Sequence, residues 1–107
     1  MILTPSLATL KKYGLSESEW RALLDKQGGV CAVCKIEPSK GRLCIDHEHV
    51  KGWKKMPPEK RKLYVRGLLC WVCNHYYLGR GISIQKAQNV VLFLEDYRDR
   101  ALKSQGD

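Results

Sequence analysis

Cys31-Ala32-Val33-Cys34 and, on the far side of residues 35–69, Cys70-Trp71-Val72-Cys73-Asn74 are the stretches on which the fold turns. In each, a two-residue gap lets both thiolates converge on one point. Each pair can therefore grip one face of a tetrahedral zinc ion at about 2.3 Å per sulfur. Two pairs close the coordination shell, which makes such a zinc structural rather than catalytic. The alternative is a set of buried or redox cysteines. The stretch between the pairs exceeds the roughly 15–20 residues of a simple zinc ribbon, so something further is inserted between the knuckles. The fifth cysteine, Cys44, lies inside that insert and reads as a small apolar strand residue, with a catalytic thiol as the alternative.

Within the insert, Arg42 to Asp46 alternates as a short strand, with Leu43 and Ile45 on one face, and Leu63 to Leu69, interrupted by Gly67, is a second. Between them His49 to Lys62 is a loop, since Pro57-Pro58 excludes a central strand or a helix interior. Asp46-His47-Glu48-His49 closes the first strand, and Asn74 directly follows the last zinc cysteine. Asp46 offers a hard oxygen to Mg²⁺ and Asn74 a neutral one, and Mg²⁺ commonly takes one or two protein oxygens. His47 has the pKa range to accept a proton from water near neutral pH. A lone Asp-His is usually a surface pair. The weight here comes from the arrangement, because closing the zinc clamp would bring the acid–His cluster and the Asn together.

The flanks read as helices. Ser6 to Tyr13 is a short helix stopped by Gly14. Ser16 and Glu19 have capping-box spacing, followed by Trp20, Leu23 and Leu24 on one face until Gly28-Gly29. From Trp71 the chain turns helical and stops near Gly79-Arg80-Gly81. Ser83 caps a last helix to about Lys103, with Ile84, Ala87, Val90, Val91, Phe93, Leu94 and Tyr97 as a broad apolar stripe. The expected role of that stripe is to pack on the chain's own core, with a homodimer interface as the alternative. No repeat or linker appears. The chain reads as one small zinc-stabilised α+β domain, 1–107: a helical part to 30, a zinc-bound core over 31–80, and a C-terminal helix over 81–107.

The net charge of +8 and pI of about 9.4 point to a polyanionic partner. Lys51, Lys54, Lys55, Lys60, Arg61, Lys62 and Arg66 crowd the insert with Glu59 as the one nearby acid. They read as a phosphate-gripping loop or as a solvated charged surface. Trp53 in that loop either stacks on a base or covers the core, and His75 has no assigned role. No secretory leader and no apolar run of membrane-spanning length is visible, so the chain is expected in a reducing intracellular compartment, where paired thiolates bind metal.

Gln27-Gly28-Gly29-Val30-Cys31-Ala32-Val33-Cys34, Ile45-Asp46-His47-Glu48-His49 and Val65-Arg66-Gly67-Leu68-Leu69-Cys70-Trp71-Val72-Cys73-Asn74 together resemble the phage recombination endonuclease VII family of the HNH, or ββα-metal (His-Me finger), nucleases. The resemblance implies a ββα-metal core flanked by helices and one-metal hydrolysis of DNA, duplex or branched as in Holliday junctions. It implies zinc on Cys31, Cys34, Cys70 and Cys73, and Mg²⁺ or Mn²⁺ on Asp46 and Asn74. It further implies His47 as general base, His49 at the scissile phosphate or leaving group, and products with 5′-phosphate and 3′-hydroxyl ends. For a phage protein the workplace is the host cytoplasm. A non-catalytic zinc module that binds nucleic acid, or a phage packaging adaptor, is the competing reading. Asp46, His47 and Asn74 discriminate, because a binding module has no need of all three at one place.

Overall fold

The structure, a computed structural model, describes residues 2–106; Met1 and Asp107, the ends of the expected domain, lie outside the described residues. Capping chemistry sets the first two helices. Helix α1 (Leu7–Tyr13) starts on Ser6, whose hydroxyl accepts from the Thr9 amide at 3.2 Å, and ends at Gly14 with φ of 74°. Glycine is required there twice over: the backbone is left-handed, and a Cβ would overlap the Pro58 carbonyl. Helix α2 (Glu17–Lys26) opens on a complete capping box. Ser16 Oγ accepts from the Glu19 amide at 3.1 Å, and the Glu19 carboxylate accepts from the Ser16 amide at 2.9 Å.

Strands β1 (Cys44–His47) and β2 (Val65–Leu69) pair antiparallel, with Cys44 opposite Leu69, Ile45 opposite Leu68 and Asp46 opposite Gly67. The ladder begins two residues later than the alternation from Arg42 suggests. In this register, extension back to Arg42 would need Cys70 and Trp71 as partners, and both are committed to the second knuckle. Leu63 leaves the second strand as well, lying exposed in a 3-10 turn, Lys62–Tyr64. The loop holds a further 3-10 turn, Trp53–Lys55, and the short helix α3 (Pro58–Arg61). Proline opens α3 in its first turn, where the missing N–H is not needed.

Gln27, just past α2, closes the free edge of β2. Its amide nitrogen donates to Leu68 O at 2.9 Å and its amide oxygen accepts from Leu68 N at 2.9 Å. From the first knuckle, the Ala32 amide also reaches Leu68 O at 3.1 Å. Strand edges left unpaired invite wrong partners, and here one side chain supplies both halves of a ladder step. Leu10, Leu15, Trp20, Leu24, Ile45, Leu68 and Leu69 form the core together with Cys31 and Cys73.

Helix α4 (Ile84–Gly106) starts on Ser83, whose hydroxyl accepts from the Lys86 amide at 3.0 Å. Its stripe does not pack on the core as expected. The large apolar residues range from 47% exposed at Val90 to 80% at Ile84. The Gly79-Arg80-Gly81 turn, with Gly81 at φ of 75°, carries the helix away from the β1–β2 hub. The radius of gyration is 17.2 Å, against about 13 Å for a compact chain of this length. Among the described residues no helix is long and apolar enough to cross a membrane.

Candidate active site

The four knuckle cysteines meet beside the core. Their sulfurs all lie within 4.8 Å of one another. Cys34 Sγ and Cys70 Sγ are 3.8 Å apart, and a tetrahedron with zinc–sulfur arms has edges of about 3.8 Å. The Val33 amide donates to Cys31 Sγ and the Cys73 amide to Cys70 Sγ, both at 3.4 Å. Burial opposes ionisation of Cys31, but backbone amides of Cys70, Cys34 and Val33 outweigh it and bring the thiol down to about 6. Burial and then the neighbouring thiols push Cys73 up to about 12. Four soft donors at this spacing form a structural metal site that suits zinc.

Next to the second knuckle lies a cavity of about 490 Å³. Asp46, His47, His49 and Asn74 line it together, with Tyr13, Trp71, His75, Tyr76 and Arg80 among the other walls. Strand alternation would send Asp46 and His47 to opposite faces. The pairing is irregular at this point. Asp46 pairs with Gly67 but His47 pairs with Val65, so Arg66 is an extra residue on β2. Such a bulge bends the strand, raises its twist and re-aims side chains. Arg66 lies over Asp46, with Nε donating to Oδ2 at 2.6 Å and the terminal nitrogen to Oδ1 at 3.0 Å. Asp46 is only 4% exposed, so the ion pair compensates a charge that burial would otherwise disfavour. The bond to Asp46 raises the Arg66 pKa. A carboxylate has about four lone-pair positions, and this clamp uses two of them.

His47 is held by rings. Trp53 stacks on it at 3.9 Å between centroids and 18°, His49 at 4.9 Å and 27°, and Tyr13 leans in at 5.7 Å. Burial, reinforced by His49, holds the imidazole below its usual value despite the pull of Asp46, which favours the neutral form. Trp53 is itself 5% exposed, so of its two expected roles it fills the covering one. Burial, then Cys44 and Asp46, pushes the Tyr13 hydroxyl up. Cys44 is half-buried in the sheet, as expected of a small strand residue, and burial raises its thiol pKa.

Asn74 reaches the cavity from a π-helical turn, Cys73–Leu78, and its backbone N–H donates to Cys70 O at 3.0 Å. One residue after the last thiolate, its position is set by the metal knuckle. A Cβ at Gly79 would overlap the Asn74 carbonyl, so glycine permits this wide turn to close. The basic residues divide. Lys51, Lys54, Lys55 and Lys60 are exposed and carry no ion pair among the described residues. Lys62 pairs with Glu19, Arg61 lies over the Trp53 ring at 5.6 Å, and Arg66 holds Asp46. Sequence reasoning missed Tyr13, Trp71, Tyr76 and Arg80 as cavity walls. Tyr13 carries no local signal, whereas Trp71, set between two metal-binding thiols, could have been found from its position.

The family model of recombination endonuclease VII matches residues 6–99. The chain is also similar to the Gene 59 proteins of two mycobacteriophages. It is 38% identical over 71 residues to that of phage D29, covering 65% of this chain and 36% of that protein. The figures for phage L5 are 38% over 71 residues, 65% and 37%. The chain therefore spans little more than a third of the length of these curated relatives. No solved structure matches.

Proposed function

This chain belongs to the recombination endonuclease VII family, and from that premise we propose that it is a metal-dependent DNA endonuclease with a ββα-metal active site of HNH type. The carrying observation is that a buried carboxylate, two imidazoles and an amide line one cavity beside a thiolate cluster. A mere binding surface has no use for that set in one concavity. We read β1, β2 and the π-helical turn as the nuclease core and the described residues as one unit.

Asp46 and Asn74 would hold a divalent cation of the Mg²⁺ or Mn²⁺ type. The fit rests on the donor set: one hard anionic carboxylate, whose two bonds to Arg66 leave about two lone-pair positions, and one neutral oxygen. When bound, such an ion offsets the charge that builds on the phosphoryl oxygens. His47, neutral and fixed by its ring stack, takes the proton of a water. That water forms a bond to phosphorus in line with the 3′ oxygen, whose bond breaks. The products carry 5′-phosphate and 3′-hydroxyl ends. His49, on the exposed side of His47, faces the scissile phosphate or its leaving group. Arg66 holds the Asp46 carboxylate in one orientation. Lys51, Lys54, Lys55 and Lys60 grip flanking phosphates without reading sequence. The substrate is duplex or branched DNA, and the workplace is the host cytoplasm.

The bare stripe of α4 supports a second element, a homodimer formed by that helix. Exposed apolar surface on this scale marks an interaction face, and a 23-residue helix offers length for a paired seam.

The test is nicking of supercoiled plasmid, and cleavage of a four-way junction, with Mg²⁺ or Mn²⁺. His47→Ala is expected to slow cleavage by about 10²–10⁴-fold while metal content and DNA binding persist. Equal rates in the variant would remove His47 as base and the reading with it.

A further inference from the structure

Three tryptophans serve this chain in different ways. Trp20 is fully buried and Trp53 nearly so, but Trp71 is 55% exposed. It occupies a knuckle position between two metal-binding thiols, where metal binding itself asks nothing of the side chain. His75, one helical turn on, stacks beneath the indole at 4.3 Å and 23°, and Tyr76 meets it edge-on at 5.6 Å and 79°. His75 Nδ1 lies 3.0 Å from Trp71 O and donates to it in the matching tautomer, which fixes the ring. With His75 on one face, the remaining exposure of the indole belongs to its other face and edge. The shelf is anchored at one end by Cys73 and at the other by the tight Gly79 closure.

Its location gives the shelf a ligand. Trp71, His75, Tyr76 and Arg80 line the same cavity as Asp46, His47, His49 and Asn74. Residues 71–81 contain no acid, so nothing on this segment repels a phosphodiester, and Arg80 is exposed at the rim. A rigid aromatic face beside a phosphate-processing cavity suits a planar ring attached to a phosphate chain. Bases inside a duplex have both faces covered by their neighbours, so the ring must come from a base outside the stack. Stacking of that kind tolerates any base identity, and a preformed shelf loses little rotamer freedom on binding.

We propose that Trp71, backed by His75 and Tyr76, is a stacking subsite for one unpaired nucleobase next to the phosphate in the cavity. The proposal rests on the nuclease reading for its DNA ligand but can fail separately from it, because its test reads binding without cleavage. The probe is a short abasic phosphodiester strand bearing a single 2-aminopurine, compared with the same strand bearing none. Both are titrated with the full metal-loaded chain in buffer without added divalent cation. The base-bearing strand is expected to bind about 10-fold tighter, with 2-aminopurine fluorescence quenched. In Trp71→Leu its affinity should converge on that of the base-free strand, and Trp71→Phe should restore part of the difference. Equal binding of both strands by the wild-type chain overturns the proposal, as does a preference that survives in Trp71→Leu. If Trp71→Leu loses its metal, Tyr76→Leu and the wild-type comparison decide. A change of sedimentation in Trp71→Leu, with the base preference surviving in that variant, would identify the shelf as a protein interface and overturn the proposal equally.

Discussion

The β1–β2 hub and helix α4 are both rich in apolar residues, yet they stand in opposite conditions. In the hub nearly every group has a partner: Gln27 completes the β2 edge, four thiols face one another, Arg66 answers Asp46, and Trp53 covers His47. On α4 the apolar side chains meet solvent. The difference lies in what each pattern specifies. Ligand spacing and capping residues name their partners within the chain, whereas an amphipathic stripe states only that a partner is needed.

The contrast can be broken most forcefully at the thiolates. Cys70→Ser should abolish folding of the hub, because structural metal binding is folding free energy of about 10–16 kcal/mol in zinc-finger peptides. A variant with native circular dichroism and no bound metal would show that the hub stands without its clamp. The next effect separates the two regions directly. Leu68→Ala removes a fully buried side chain and should destabilise by about 2–5 kcal/mol in denaturant titration. Leu94→Asp on α4 should change hub stability by less than about 0.5 kcal/mol while shifting the sedimentation of the proposed homodimer to that of a monomer. A large loss of hub stability in Leu94→Asp would mean that the helix returns to its own core.

Two smaller effects sharpen the picture of the site. Trp53→Leu should keep the fold but let the His47 ring wander, lowering kcat by about 10–100-fold with a smaller change in KM; an unchanged kcat would make the stack incidental. Replacing Lys51, Lys54, Lys55 and Lys60 together by Gln should flatten the salt dependence of duplex binding by about 0.9 in log–log slope for each lysine that meets a phosphate. An unchanged slope would place the DNA on another face.

Much of the fold was legible because its determinants are local or carry their own distance rule. The Ser16–Glu19 box, Gly14 and the two Cys-x-x-Cys pairs each work within a few residues, and convergence of the four sulfurs follows from the coordination that such spacing serves. Asp46, His47 and Asn74 were nameable as candidates for the same reason, lying beside the strand end or the knuckle. The strand bounds shifted because a ladder needs partners on both sides, and Cys70 and Trp71 were already committed.

What the chain alone determined, then, is the cysteine clamp, the caps and which residues are candidates for the site, since each rests on contacts within a turn or on ligand spacing. What only the tertiary structure decided is how those residues face one another. Arg66 became the counter-ion of Asp46 rather than a free phosphate grip because a bulge turned it there. Trp53 became the backing of His47 because the basic loop folds over α1. Helix α4 was left bare because the Gly79-Arg80-Gly81 turn led it away from the core. Each outcome depends on contacts between residues distant in the chain, which no local pattern encodes.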